Sequence, residues 1–96
     1  MHVNDLAKCI KTLSGHIKSL DLSKNKIGDE GIPLIMKALC ESHIESVNIS
    51  ANKLTERCVE VIVGILKTNK TLKILDLQSN GIGSRLMKNK LKNALT

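Results

Sequence analysis

Any chemistry in this chain of 96 residues must come from a few groups: the carboxylates of Asp21 and Asp76, the thiols of Cys9, Cys40 and Cys58, and the imidazoles of His2, His16 and His43. Cys40 and His43 form a CxxH pair, half of a tetrahedral zinc site that Cys9 and His16 would have to complete. The three cysteines are odd in number, lack CxxC spacing and sit in apolar helical contexts. That is the pattern of reduced, partly buried thiols in a cytoplasmic protein, so neither metal nor cofactor is expected. His16 and His43 fall at matching positions just before two strands, which reads as a turn residue rather than a nucleophile, and His2 lies at the terminus. The chain contains no GxxxxGKS, GxGxxG, HExxH or GxSxG motif, and Gly81-Ile-Gly83 belongs to a turn. No catalytic residue is therefore assigned, and the chain is expected not to be an enzyme.

Composition narrows the partner. Apolar residues make up 42% of the chain and charged residues 25%, enough of each for one folded domain. The longest apolar runs, such as Val61-Ile62-Val63, are far short of the ~18 residues of a membrane span. Lys8 and Lys11 interrupt the N-terminal stretch before a secretory core could form, so the sequons at Asn48 and Asn69 are expected to go unused. With no aromatic residue the chain lacks stacking platforms for bases. Its net charge of +6 lies wholly after residue 60, where Lys67, Lys70, Lys73, Arg85, Lys88, Lys90 and Lys92 face Asp76 alone. Lysine dominance without interleaved aromatics makes this a solvated basic end and argues against nucleic acid.

The elements that position these groups come from a repeat. Ile17-Lys-Ser-Leu20-Asp-Leu22-Ser-Lys-Asn25-Lys-Ile27 recurs as Ile44-Glu-Ser-Val47-Asn-Ile49-Ser-Ala-Asn52-Lys-Leu54 and as Leu72-Lys-Ile-Leu75-Asp-Leu77-Gln-Ser-Asn80-Gly-Ile82, at offsets of 27 and 28 residues. Between these segments the spacing turns helical. Leu6, Cys9, Ile10 and Leu13 align with Ile32, Ile35, Met36 and Leu39, and with Val59, Ile62, Val63 and Leu66; each set predicts one inward helical face. In a fourth set, Met87, Lys90, Leu91 and Ala94, polar and small residues replace aliphatics, as in an end cap. Asp29, Thr55 and Ser84 are the expected helix N-caps. Neither a strand of four or five residues nor a helix of about twelve is stable alone in water, so the units must stack. Leu20, Val47 and Leu75, with Leu22, Ile49 and Leu77, would then layer beneath a parallel sheet. Asn25, Asn52 and Asn80 would form a structural column satisfying the backbone where each strand turns.

These LxxLxLxxNxI segments, together with Ile27-Gly28-Asp29-Glu30-Gly31, resemble the leucine-rich repeat family, specifically its ribonuclease-inhibitor-like class. The resemblance implies an α/β solenoid over residues 1–96, with three short parallel strands on the concave side and about four helices on the convex side. Its parts are the helix of a partial repeat at 3–15 and repeats at 17–43, 44–71 and 72–96. The domain is either complete at this length or a fragment of a longer array. The resemblance also implies protein recognition on the concave sheet, and admits as an alternative a regulator, inhibitor or activator, of an enzyme such as a small GTPase, or a pathogen effector acting on host proteins.

Strand alternation assigns the concave face to three columns: Ser19, Ser46 and Ile74; Asp21, Asn48 and Asp76; Ser23, Ser50 and Gln78. Asn48 would hold the two aspartates roughly 10 Å apart, limiting their repulsion. That distance borders on the spacing of an inverting glycosidase pair, but no pocket is expected around it. The face suits a Lys, Arg or amide group of a protein partner. The edge of the first strand, Ser19 to Leu22, is expected to be open to β-pairing, which would allow self-association.

Overall fold

A computed structural model of the chain describes residues 3–13, 15, 17–69 and 71–83. Along the chain run α1 (Val3–Leu13), β1 (Ser19–Asp21), α2 (Gly28–Cys40), β2 (Ser46–Asn48), a 3-10 turn (Glu56–Cys58) leading into α3 (Val59–Leu66), and β3 (Ile74–Asp76). The strands form one parallel sheet in the order β1-β2-β3. Ser19, Ser46 and Ile74 stand level in it, as do Leu20, Val47 and Leu75, and Asp21, Asn48 and Asp76. Offsets of 27 and 28 residues read from the sequence are thus the true pairing register. β1 with α2 and β2 with α3 each make one rung of a stack, and β3 begins a third.

Strands of three residues hold because each has apolar neighbours in the rungs beside it. Val47, Ile49, Leu22 and Leu77 are buried under the sheet, where they meet Ile32, Ile35, Met36 and Leu39 of α2 and Ile62 and Leu66 of α3. At about 1.5–3 kcal/mol for each fully buried aliphatic side chain, this shared core supplies what a single short unit lacks. Past each strand the chain turns through left-handed backbone at Lys24, Ala51 and Ser79 (φ 59°, 55° and 58°), the same position in all three rungs.

Three expectations about the helices need correction. Asp29 does not cap α2, which begins one residue earlier at Gly28, with Ile27 at the N-cap position and no side chain bonded there. Gly28 has φ +73°, which lets the chain swing from strand to helix before Asp29 is reached. In α1 the inward set is incomplete: Ile10 is buried and Leu6 half-buried, but Cys9 is exposed and Leu13 is 40% exposed. Among the described elements α1 packs chiefly against α2, so only the flank turned to α2 is covered. The helix also stops at Leu13, short of the expected residue 15. Three α-helices are present among the described residues; the expected fourth, with Ser84, Met87, Lys90, Leu91 and Ala94, lies outside them.

Candidate functional site

Polar side chains on the strand side of the molecule fall into two columns with opposite bonding. In the inner column Asn52 is completely buried. Its Oδ1 accepts the N–H groups of Asn25 (2.9 Å) and Ile27 (3.2 Å), both in the preceding rung. Its Nδ2 donates to the carbonyls of Leu22 (2.9 Å), Ile49 (3.0 Å) and Ser50 (3.1 Å). Asn80 repeats the pattern one rung on, accepting from Asn52 (2.8 Å) and Leu54 (3.1 Å) and donating to Ile49, Leu77 and Gln78. Asn25 donates to Leu22 (2.8 Å). Backbone groups left over at the strand-to-loop turn thus find partners in the row of amides.

In the outer column Asp21, Asn48 and Asp76 each make the same local bond. Their Oδ1 atoms accept the N–H two residues on, from Ser23, Ser50 and Gln78, each at 2.9 Å. This is an Asx turn repeated three times, a structural role that strand alternation alone does not reveal. It orients the side chain and leaves the second oxygen or the amide nitrogen spare. At Asp21 the spare capacity is reduced: the Ser23 hydroxyl and N–H hold the carboxyl below the usual carboxylate range, and nearby Lys24 adds to this. At Asp76 the residue two places on is Gln78, with no hydroxyl, and Ser79 stands where rung one has Lys24. No described residue bonds to Oδ2 of Asp76.

The structure brings the nine expected face residues together. Ser19, Ser46 and Ile74, and Asp21, Asn48 and Asp76, are paired across the sheet. The ladder continues to Ser23, Ser50 and Gln78 through Lys24 N–H to Ser50 (3.0 Å) and Ala51 N–H to Gln78 (3.1 Å). All nine are exposed or half-buried. Ile74 is 61% exposed, more than Leu34 at 45%, Leu13 at 40% or Val61 at 39%.

A polar group missed in the sequence joins rungs one and two on the helix side. The Asp29 carboxylate accepts the Thr55 N–H (2.8 Å) and the Thr55 hydroxyl. Thr55 in turn takes the Arg57 N–H (3.3 Å), so it caps the 3-10 turn as expected. These bonds, the Thr55 hydroxyl first, hold the Asp29 carboxyl below its ordinary range. Burial, and then the Asp29 charge and hydrogen bond, push the Cys58 thiol up to about 11. The signal for this link was Asp29 and Thr55 standing 26 residues apart, close to one repeat length.

Of the candidate metal ligands, those among the described residues form no cluster. Cys9 is exposed, Cys40 is half-buried with its Sγ directed to the Ile65 carbonyl at 4.0 Å, and His43 is exposed. His16 and His2 lie outside the described residues, and among those described no three His, Cys, Asp or Glu side chains are placed to hold a metal ion. None of the described helices is long and apolar enough to cross a membrane.

Comparison with known proteins agrees with this architecture. The Leucine Rich repeat family pattern matches residues 14–36 and 68–85, which span the turns into rungs one and three. No curated protein matches the chain. Among solved structures it is similar to the tropomodulin C-terminal domain of Caenorhabditis elegans, with a TM-score of 0.73 and 17% identity. That match covers 99% of this chain and 59% of the other, so the chain spans less than two thirds of the length of the domain it resembles. At this identity the likeness concerns the fold. Rung two, between the matched segments, is tied to both neighbours by strand pairing and by the amides of Asn52 and Asn80. With the repeat, the register and the family pattern in agreement, the chain folds as a stack of leucine-rich repeats.

Proposed function

We propose that this chain is a non-catalytic protein-interaction module that receives its partner on the open face of the sheet, centred on Asp21, Asn48 and Asp76. Leucine-rich repeats are typically binding modules, which supports the general reading. One observation carries the specific one: the inner amides of Asn52 and Asn80 are engaged at both ends by the backbone, whereas the outer column keeps spare hydrogen-bonding capacity on side chains already held in place. Groups fixed in this way lose little conformational entropy on binding. The repeat lengths of 27 and 28 residues and the helices between strands support the ribonuclease-inhibitor-like class. Its three free thiols support work inside the cell.

The experiment is a paired capture from a cell extract. Asn48→Lys places a long cation at the centre of the face, while Lys37→Glu alters an exposed position on α2 by an opposite change of charge. Proteins captured by the wild type and by Lys37→Glu but lost with Asn48→Lys are the expected outcome. Equal capture by all three proteins would remove the open face as the binding surface.

A further inference from the structure

Resting on that reading of the open sheet face, we infer that Ile74 and Asp76 of β3, with Asn48 beside them, form a subsite for one long basic side chain, Lys or Arg, of a partner segment. Ile74 and Asp76 are two residues apart on one strand and share its outward face. Their separation along β3 is roughly 6.6 Å, about the reach of a lysine or arginine stem. Ile74 offers an apolar surface, and at 61% exposure it has no cover of its own. The methylenes lie on Ile74 while the charged head reaches Asp76.

The acceptor is already oriented. Gln78 N–H holds Oδ1 of Asp76 at 2.9 Å, and no described residue bonds to its other oxygen. Among the described residues, the lysine that acts on the equivalent carboxylate of rung one has no counterpart at this position. Lys24 acts on Asp21, whereas the corresponding residue beside Asp76 is Ser79. Lys73, which precedes Ile74, is drawn to Glu45, just ahead of β2, at 3.9 Å. In rungs one and two the apolar half is missing, because Ser19 and Ser46 stand where rung three has Ile74. Of the three rungs, only the third pairs an exposed aliphatic group with a carboxylate.

The neighbouring rung supplies the control substitutions. Ile74→Ser and Asp76→Asn give rung three the residues that Ser46 and Asn48 already hold at those positions, so sheet and Asx turn are kept. A random linear peptide library displayed on phage, selected on the 96-residue chain, is the probe. Selected peptides are expected to carry an essential Lys or Arg. Their affinity should fall about tenfold with Asp76→Asn and severalfold with Ile74→Ser, and change less with Asp21→Asn. Transplanting the pair as Ser46→Ile with Asn48→Asp, in the Ile74→Ser, Asp76→Asn background, should restore binding. If selected peptides are lost with Asn48→Lys but keep their affinity in both rung-three variants, the subsite is overturned while the open face survives as the binding surface. Peptides indifferent to Asn48→Lys as well would overturn both, and a library that yields no binder counts against the subsite.

Discussion

Asn48 and Asn52 are the same residue type, four places apart in one rung, yet they have opposite roles. Asn52 is fully buried and its side-chain amide makes five hydrogen bonds, spanning two rungs. Asn48 is half-buried, and its Oδ1 makes one bond to the Ser50 N–H. What separates them is how much hydrogen-bonding capacity the backbone consumes. A polar column whose capacity is used up is architecture; one held in place with capacity to spare can be used by another molecule.

The sharpest way to break this contrast is to truncate both amides. Asn52→Ala leaves the N–H groups of Asn25 and Ile27 without their acceptor and takes one of two side-chain donors from each of the carbonyls of Leu22 and Ile49, and should cost about 3 kcal/mol or more in urea unfolding. Asn48→Ala should cost less than about 1 kcal/mol, since one partly exposed bond is lost. Equal costs at the two sites would erase the distinction.

A smaller effect is expected at Asp29, whose folded carboxyl is held below its ordinary range by Thr55. A depressed folded value means that its contribution is fully present above the unfolded carboxylate range, near pH 3.9, and is lost as pH falls through the folded value. Asp29→Asn should therefore lie below wild type in denaturant midpoint at about pH 7, with the gap closing in strong acid. A gap of constant size across that range would mean that the carboxylate charge is not what links the rungs.

The mildest test uses thiols and leaves the sequence unchanged. Exposed Cys9 should react first with a thiol reagent near pH 8, whereas Cys58, buried and pushed up to about 11, should wait for unfolding. Labelling both at the same rate in the folded protein would contradict the packing of the 3-10 turn against Asp29.

Much of this arrangement was legible because repetition converts sequence spacing directly into spatial register. Once Leu20, Val47 and Leu75 are aligned, strand order, pairing partners, outward residues and the amide column all follow. What was not legible depends on a residue's neighbours rather than on its column. Cys9 matches Ile35 and Ile62 in phase, yet is exposed because α1 is covered chiefly on one flank. Asp29 looks like a cap until the backbone enters α2 one residue early and frees the carboxylate for Thr55. The Asx turns had a local signature, an Asp or Asn two residues before the acceptor's N–H donor, but alternation assigns only a face to such a residue, without saying which of its atoms the backbone has already engaged. At β3, strand alternation already placed both Ile74 and Asp76 on the open face; how far Ile74 is exposed, and which oxygen of Asp76 the backbone holds, are set by the surrounding atoms.

The amide row also has a direction. The oxygens of Asn80 and Asn52 reach back to N–H groups of the rung before: Asn80 serves Asn52 and Leu54, and Asn52 serves Asn25 and Ile27. The array therefore overlaps like roof tiles, each course pinned by the next. Damage to one asparagine loosens the turn on its N-terminal side more than the one on its C-terminal side, so the tolerance of this protein to mutation differs between the two ends even where its repeats are alike.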